Sequence, residues 1–245
     1  MDLKIKNKKA LVLGASSGLG KAVAAGLIAE GVQVAVASRN LDKLQATVKE
    51  ISAHSYFQID LSQKNSGKNA IEQMTQKMGA PDILVINTGG PKRSNFETTS
   101  LEDWSDSYQS LWGSAIECIQ SCLPTMIQNK WGRILLVTSF AAKEAMPNLI
   151  ISNAYRAGLL GLTKSLSNEY AQYGITVNSL LPGYTMTQRV LENAASLEKI
   201  AESVPAKRLG TPEEFASLAC YLSGTQAAYI TGQAIAVDGG YLKGI

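Results

Sequence analysis

Short apolar runs alternate with longer helical patterns along the whole chain, and this order is the strongest constraint on the fold. Most of the short runs are almost continuously apolar, which is typical of parallel strands covered on both faces. The alternation therefore predicts an α/β protein with a doubly wound parallel sheet and right-handed crossovers. The predicted strands are residues 10–13, 33–37, 56–59, 83–86, 133–138, 176–181 and 234–237. The predicted helices are residues 20–30, 41–50, 101–128, 153–173 and 212–222.

The length of 245 residues suits one large domain with a well-buried core, and we expect a single domain over residues 1–245. One irregular stretch, residues 184–208, follows the carboxyl end of a predicted strand. Sheets of this kind bind their ligands at that edge. We therefore expect residues 184–208 to form a lid over the substrate.

Charge, hydropathy and cysteine content exclude several classes of function. The net charge of +3 is too small to indicate nucleic-acid binding. No segment has the roughly 20 apolar residues of a membrane span, and the first apolar run is too short for a signal peptide. Cys118, Cys122 and Cys220 form no scaffold pattern, and the single histidine, His54, is remote from them. We expect reduced thiols in a cytoplasmic protein that uses no metal, nucleic acid or membrane.

A glycine-rich turn joins the first predicted strand to the first predicted helix. Glycine permits a tight turn and close approach of the backbone to a pyrophosphate, while the helix N-terminus offers free N–H groups. Within the first strand-helix-strand unit, this pattern predicts a dinucleotide site of the Rossmann type. The expected phosphate cradle consists of Gly14, Ser16, Ser17, Gly18, Leu19 and Gly20.

The end of the second strand indicates which dinucleotide binds. A cofactor without a 2′-phosphate is usually held there by an acidic residue on the ribose hydroxyls. This chain has Ser38 and Arg39 there, and no acid before Asp42. A guanidinium can bind a 2′-phosphate through charge-assisted hydrogen bonds. The sequence therefore favours NADP over NAD, the alternative being that Arg39 is only a solvated cation.

Several further motifs make the whole chain similar to the short-chain dehydrogenase/reductase family. The string Gly14-x-x-x-Gly18-x-Gly20 resembles its dinucleotide fingerprint, and Asn87-Thr88-Gly89-Gly90 resembles its Asn-Asn-Ala-Gly element. The nearest resemblance is to the 3-oxoacyl-acyl-carrier-protein reductases. It implies a symmetric homotetramer and a carbonyl or acyl thioester substrate. It also implies that the cofactor contacts Asp60, Leu61, Asn87, Gly89, Pro182, Gly183, Thr185 and Thr187.

The family's catalytic positions are altered in this chain. The resemblance implies that Ser139 orients the substrate carbonyl. The position of the family's tyrosine, the general acid, holds Ser152, and that of its lysine holds Arg156. Its asparagine position holds Ser110. An aliphatic hydroxyl is a far weaker acid than a phenol, and an arginine does not relay a proton, so these changes affect the chemistry.

Two tyrosines are candidates to replace the missing acid. Tyr155 lies three residues after Ser152, so the two side chains can share a helix face. Tyr155 either supplies the proton or packs against a neighbouring helix, and both interpretations are open. Tyr184, beside the segment that resembles the nicotinamide-contacting loop, is the second candidate.

These residues support two functional hypotheses and argue against a third. The first is an NADP-dependent oxidoreductase that transfers hydride between nicotinamide and a carbonyl or alcohol carbon, with 3-oxoacyl thioesters among the candidate substrates. The second is a catalytically impaired NADP-binding sensor or assembly protein. The serine and arginine pair also resembles that of the halohydrin dehalogenases. This chain lacks their tyrosine and keeps an intact glycine loop, which argues against that activity.

Overall fold

The computed structural model describes residues 1–193 and 196–244. Its seven strands form one parallel sheet in the order β3-β2-β1-β4-β5-β6-β7. The strands are β1 Lys9–Leu13, β2 Gln33–Ser38, β3 Ser55–Gln58, β4 Ile83–Asn87, β5 Gly132–Val137, β6 Ile175–Pro182 and β7 Ala234–Val237. This confirms the predicted doubly wound α/β fold, a Rossmann fold.

Helices cover both faces of the sheet. The described helices are α1 Gly18–Ala29, α2 Leu41–Ile51, α3 Ser66–Met78, α4 Leu101–Tyr108, α5 Ser114–Asn129, α6 Ile150–Tyr170, α7 Gln188–Asn193, α8 Leu197–Ser203 and α9 Pro212–Ser223. Side chains from α1, α2 and α9 form the apolar layer on one face of the sheet. Those from α3, α5 and α6 form the layer on the other. Both faces of most strands are therefore buried, as their apolar composition predicts.

The predicted helix over residues 101–128 is interrupted. A π-helical turn at Gln109–Gly113 separates α4 from α5. Serine hydroxyls bind carbonyls around this turn: Ser110 Oγ donates to the carbonyl oxygen of Asp106 at 3.1 Å, and Ser114 Oγ donates to that of Ser110 at 3.0 Å. These bonds help to satisfy carbonyls where the regular helical hydrogen bonds are disturbed. The apolar periodicity continues through the turn, and the interruption therefore could not be predicted from the sequence pattern.

Helix α3 was not predicted from the sequence, because tertiary contacts support its polar first turn. The carboxylate of Glu117, on α5, accepts hydrogen bonds from the backbone N–H groups of Asn65 and Gly67, both at 2.9 Å. These are groups that a helix start leaves without intrahelical partners. Gly67 also lies directly against α5, where a Cβ would stand 2.3 Å from the carbonyl oxygen of Ser114.

The predicted lid over residues 184–208 contains α7 and α8. Ala194 and Ala195, which fall within this stretch, and Ile245, at the end of the predicted domain, lie outside the described residues. Among all the described residues, no helix is both long enough and apolar enough to cross a bilayer.

The close packing of α3 on α5 predicts that a larger residue at Gly67 destabilises the protein. We expect Gly67→Ala to lower the free energy of unfolding by ~1–3 kcal/mol, because the new methyl group meets backbone that cannot move freely. Gly161→Ala is the matched control, since a Cβ there meets no heavy atom within 4 Å among the described residues. Urea unfolding of both variants measures the difference. Equal stability of the two would show that the contact at Gly67 is not tight.

Candidate functional site

A cavity of about 500 Å³ lies at the carboxyl ends of the strands, where the chain order reverses between β1 and β4. Such a reversal is where doubly wound sheets bind nucleotides. Arg156 also lines the cavity, whereas Ser139, Ser152 and Tyr155 are not among its described lining residues. The predicted cofactor residues that line it are Gly14, Ser16, Ser17, Gly18, Leu19, Ser38, Arg39, Asp60, Leu61, Asn87, Gly89, Pro182 and Thr187.

The glycine turn has no room for larger side chains. A Cβ on Gly14 would stand 2.2 Å from the carbonyl oxygen of Asn87, and one on Gly20 would stand 2.4 Å from that of Gly14. The Asn87 side chain donates from Nδ2 to the Gly14 carbonyl at 3.0 Å, which holds the turn against β4. The N-cap of α1, Ser17, makes no side-chain capping bond. The first turn of α1 is therefore a suitable cradle for phosphate.

The outer part of the cavity contains the residues that predict cofactor choice. Arg39 is exposed at the end of β2, and in the described part of the chain its guanidinium forms no hydrogen bond or ion pair. Ser38 Oγ donates to Ser16 Oγ at 2.8 Å, so this end of β2 is tied to the glycine turn. A cation and hydroxyl groups beside the cradle match the chemistry of a 2′-phosphate.

Two predicted residues follow β3 at the far end of the cavity. The carboxylate of Asp60 accepts hydrogen bonds from the backbone N–H and the hydroxyl of Ser62, at 3.0 and 2.9 Å. These bonds fix the turn that presents Asp60 and Leu61 to the cavity. Ser62, which was not predicted as a site residue, lines the cavity beside them.

The opposite end of the cavity is closed by the segment after β6. Gly183 lies so close to β7 that a Cβ would stand 2.5 Å from Cα of Asp238. Thr185 is buried, and its hydroxyl donates to the carbonyl of Gly183 at 3.3 Å. This bond stabilises the loop that follows β6. Thr187 lines the cavity next to Gly18, since a Cβ on Gly18 would be 3.3 Å from its methyl carbon.

Ser139 follows β5 directly and caps a short 3-10 helix, Phe140–Ala142. Its Oγ accepts a hydrogen bond from the backbone N–H of Ala141 at 3.1 Å. This bond uses a lone pair on the oxygen and leaves the hydroxyl hydrogen to be donated. The geometry is compatible with the role that the resemblance implies, a donor to a substrate oxygen.

Arg156 is buried and bonded to backbone at the cavity floor. Its Nη1 donates to the carbonyl of Thr138 at 2.6 Å and to that of Val137 at 3.3 Å, while its Nη2 lies 3.5 Å from that of Gly89. Its Nε donates to Ser152 Oγ at 3.2 Å, so the two altered positions form one hydrogen-bonded pair. These carbonyl anchors could not be predicted from the sequence, because a backbone oxygen carries no residue-type signal.

Tyr155 is held on the side of α6 that faces α4. Its hydroxyl donates to the carbonyl of Trp104 at 3.0 Å, and its ring packs edge-on against that of Trp104, with centroids 5.4 Å apart. Burial, with a smaller effect of Tyr108, raises the pKa of this phenol. A phenol activated as an acid would have its pKa shifted toward neutrality, so this shift has the opposite direction.

Tyr184 packs near the end of β6 with its ring 5.3 Å from that of Phe140. Burial raises the pKa of its phenol, and a hydrogen bond with Tyr241 contributes in the same direction. Tyr184 therefore stays protonated at neutral pH without being activated.

Ser110 occupies the position where the resemblance implies an asparagine. It lies within the π-helical turn and lines the cavity.

The cavity has the features that a dinucleotide requires. Its glycine turn packs too closely to accept a Cβ at Gly14 or Gly20, the N-terminus of α1 lies at this turn, and Arg39 lines the cavity near the place expected for the 2′-phosphate. The fold and the site thus define a dinucleotide-binding α/β protein.

Comparison with known proteins identifies the family. Residues 14–242 match the family model described as enoyl-(acyl carrier protein) reductase. The chain is 31% identical over 259 residues to the NADPH-dependent reductase BacG of Bacillus subtilis (strain 168), covering 98% of this chain and 100% of that protein. It is 34% identical over 242 residues to the 3-oxoacyl-[acyl-carrier-protein] reductase FabG of Staphylococcus epidermidis, covering 96% and 98% of the two. The chain belongs to the short-chain dehydrogenase/reductase family.

A solved structure supports the same assignment. The L-sorbose reductase of Gluconobacter frateurii, complexed with NADPH and L-sorbose, superposes with a TM-score of 0.93 at 27% identity, covering 100% of both chains. The chain is an NADP-dependent oxidoreductase that acts on a small molecule. These relatives do not favour the alternative of a non-catalytic sensor.

The position of Arg39 predicts how strongly the chain discriminates between cofactors. We expect NADPH to bind at least ~10-fold more tightly than NADH, because one charge-assisted hydrogen bond contributes ~1.5–3 kcal/mol. Arg39→Asp should abolish this preference, as measured by calorimetric titration with both cofactors. Lys49→Asp, a matched charge reversal at the far end of α2, should leave it unchanged. Equal affinities in the parent protein would contradict the role of Arg39.

Proposed function

We propose that the chain reduces a carbonyl group with hydride from NADPH, using Ser139 to hold the substrate oxygen and the Ser152–Arg156 pair to shape the site. The observation that supports this proposal is the position of Arg156. It is a buried cation at the cavity floor, bonded to the carbonyl of Thr138, the residue before Ser139. Arg156 thereby links the cofactor cavity to the residue proposed to bind the substrate.

The dinucleotide would be held by the glycine cradle, by Arg39 at the 2′-phosphate and by Thr187 at the opposite end. When bound, it supplies the hydride. Ser139 donates its hydrogen bond to the carbonyl oxygen and so polarises the bond toward the reacting carbon. The positive charge of Arg156 stabilises the negative charge that develops on that oxygen, an effect that is strong in a site shielded from water.

The proton that completes the reduction needs a source other than a phenol at position 152. Ser152 Oγ accepts the hydrogen bond from Arg156 Nε, so its own hydrogen points away from the guanidinium. We assign Ser152 the role of orienting a water molecule that protonates the oxygen. The hydroxide left behind regains a proton from bulk solvent, and Ser152 itself remains a hydroxyl. Water is a weaker acid than a tuned phenol, so we expect slower turnover than in family members with the tyrosine.

The remaining assignments concern the substrate and the setting of the protein. A carbonyl compound or a 3-oxoacyl thioester is the proposed substrate class, and residues 184–208 are the proposed lid of a single domain spanning residues 1–245. Residues 188–193 and 197–203 contribute short helices to this lid. The three cysteines are buried free thiols, which supports a reducing compartment such as the cytoplasm.

Substitution of Ser139 tests the proposed chemistry. We expect Ser139→Ala to lower kcat by ~10²-fold, the effect of losing one hydrogen-bond donor to a developing oxyanion, while NADPH binding persists. NADPH oxidation across a panel of ketones and acyl thioesters measures kcat, and calorimetry measures the affinity. Undiminished turnover in this variant would remove Ser139 from the mechanism.

Substitution of Tyr155 tests the competing proton donor. Because the phenol is bonded to the Trp104 carbonyl, we expect Tyr155→Phe to keep NADPH oxidation within ~2-fold and to cost ~1 kcal/mol of stability. The matched comparison is Ser139→Ala under the same conditions. Loss of activity in Tyr155→Phe with intact NADPH binding would instead assign the proton to Tyr155.

We further propose that the protein is a homotetramer. Apolar side chains around α4 are exposed, with Phe96 75% and Leu101 88% accessible, and burial of such groups favours association. Closed symmetric assembly is the commonest arrangement for soluble oligomers. Light scattering at micromolar concentration should give the mass of four chains, and the mass of one chain would refute the proposal.

A further inference from the structure

Three aromatic side chains meet beyond the carboxyl ends of β5, β6 and β7. The ring of Phe140 lies 4.9 Å from that of Tyr241 and 5.3 Å from that of Tyr184, and the two tyrosine rings are 5.2 Å apart at an angle of 90°. Both pairs that include Tyr241 are favourable edge-to-face contacts, whereas Phe140 and Tyr184 are tilted by 50°. We call Phe140, Tyr184 and Tyr241 the aromatic wall.

The backbone around the wall is firmly positioned. The close contact of Gly183 with Asp238 brings the end of β6 against the end of β7, which places Tyr184 beside Tyr241. The carboxylate of Asp238 accepts hydrogen bonds from the N–H groups of Gly240 and Leu242, on either side of Tyr241. The wall is therefore held by the same contact that shapes the closed end of the cofactor cavity.

The wall adjoins the proposed reaction centre along the chain, and its three residues lie outside the described lining of the cofactor cavity. Phe140 directly follows Ser139, and Tyr184 lies two residues after Pro182, which lines the cavity. Phe140 is 8% exposed, whereas both tyrosines are only half-buried. The hydroxyl of Tyr241 also lies 3.9 Å from Sδ of Met146, a polarisable group that packs well against rings.

We propose that the aromatic wall binds a flat aromatic or unsaturated ring carried by the substrate next to its reacting carbonyl. The proposal rests on the carbonyl reduction proposed above and narrows its substrate class. Accessible ring faces and edges on a rigid support favour a ring over a flexible aliphatic chain, because stacking adds to apolar burial and a ring has less conformational freedom to lose. A linear 3-oxoacyl chain would gain less at this surface.

A matched pair of ketones tests the preference. 1-Phenylpropan-2-one and nonan-2-one carry the same methyl ketone and the same number of carbons, and they differ in the ring. We expect kcat/KM for NADPH oxidation to be ~10-fold higher with the phenyl ketone. The acetoacetyl thioester of N-acetylcysteamine, a small acyl thioester, should have a kcat/KM similar to that of the aliphatic ketone. Equal kcat/KM for the two ketones would overturn the proposal.

Substitutions in the aromatic wall test whether its rings cause the preference for the phenyl ketone. Tyr184→Leu and Tyr241→Leu should each raise KM for the phenyl ketone and so lower its advantage in kcat/KM over nonan-2-one by ~5–10-fold. Tyr184→Phe and Tyr241→Phe should retain the advantage because the ring remains. Tyr229→Leu is the control, since Tyr229 is fully exposed. Thermal unfolding and NADPH affinity show whether each variant is folded. If a leucine variant does not fold, the comparison in the parent protein still decides.

Binding provides a readout that does not depend on turnover. Calorimetric titration of the NADPH-loaded protein with 1-phenylpropan-2-ol and nonan-2-ol, which cannot accept its hydride, should show ~10-fold tighter binding of the phenyl alcohol. If no carbonyl compound is reduced but this difference is present, the proposed reduction fails and the ring site stands. If ketones are reduced without any ring preference in binding or kcat/KM, the ring site fails and the reduction stands.

Discussion

The contact between the glycine turn and the end of β4 is the constraint on which the rest of the site depends. Gly14, Gly20 and Asn87 approach so closely that neither glycine can carry a Cβ, and the Asn87 amide bonds to the Gly14 carbonyl. This contact aligns the N-terminus of α1 with the point where the strand order reverses. Phosphate recognition follows from the alignment, because backbone N–H groups and the helix dipole then converge on one place.

A second constraint is the buried charge of Arg156. A buried cation is stable only when it is hydrogen-bonded, and here carbonyls from β5 and the segment after β4 provide that support, together with Ser152. The same bonds fix the side chain in one orientation. A lysine in this position has a compact, mobile ammonium and a tunable pKa, whereas arginine remains charged and supplies a rigid fork. In the proposed mechanism an arginine here therefore provides electrostatic stabilisation without taking part in proton transfer.

Much of the fold and of the cofactor cavity could be predicted from the sequence, because their signals are local. Apolar strands, the glycine turn and Arg39 each carry a chemical requirement in the residue type itself. Helix α3 could not be predicted, because its first turn depends on Glu117 from another helix. The partners of Arg156 and the place of Tyr155 were equally inaccessible, since both depend on backbone carbonyls that only the folded chain brings near. The aromatic wall joins residues about 100 positions apart, and periodicity does not reveal such pairs.

In the proposed mechanism the proton does not come from a phenol at position 152, and this changes which interactions have to supply the rate. General acid catalysis typically contributes ~10²–10⁴-fold, but correct placement of the reacting atoms can contribute considerably more. An enzyme with a weak proton source therefore depends on holding its carbonyl firmly against the hydride donor. In the proposed mechanism Ser139 contacts only the carbonyl oxygen, so the rest of the substrate has to be held by other contacts. Binding energy from such remote contacts can be used to orient the reacting centre. The aromatic wall stands where it can provide this energy, and its rigid attachment through Asp238 suits a positioning role.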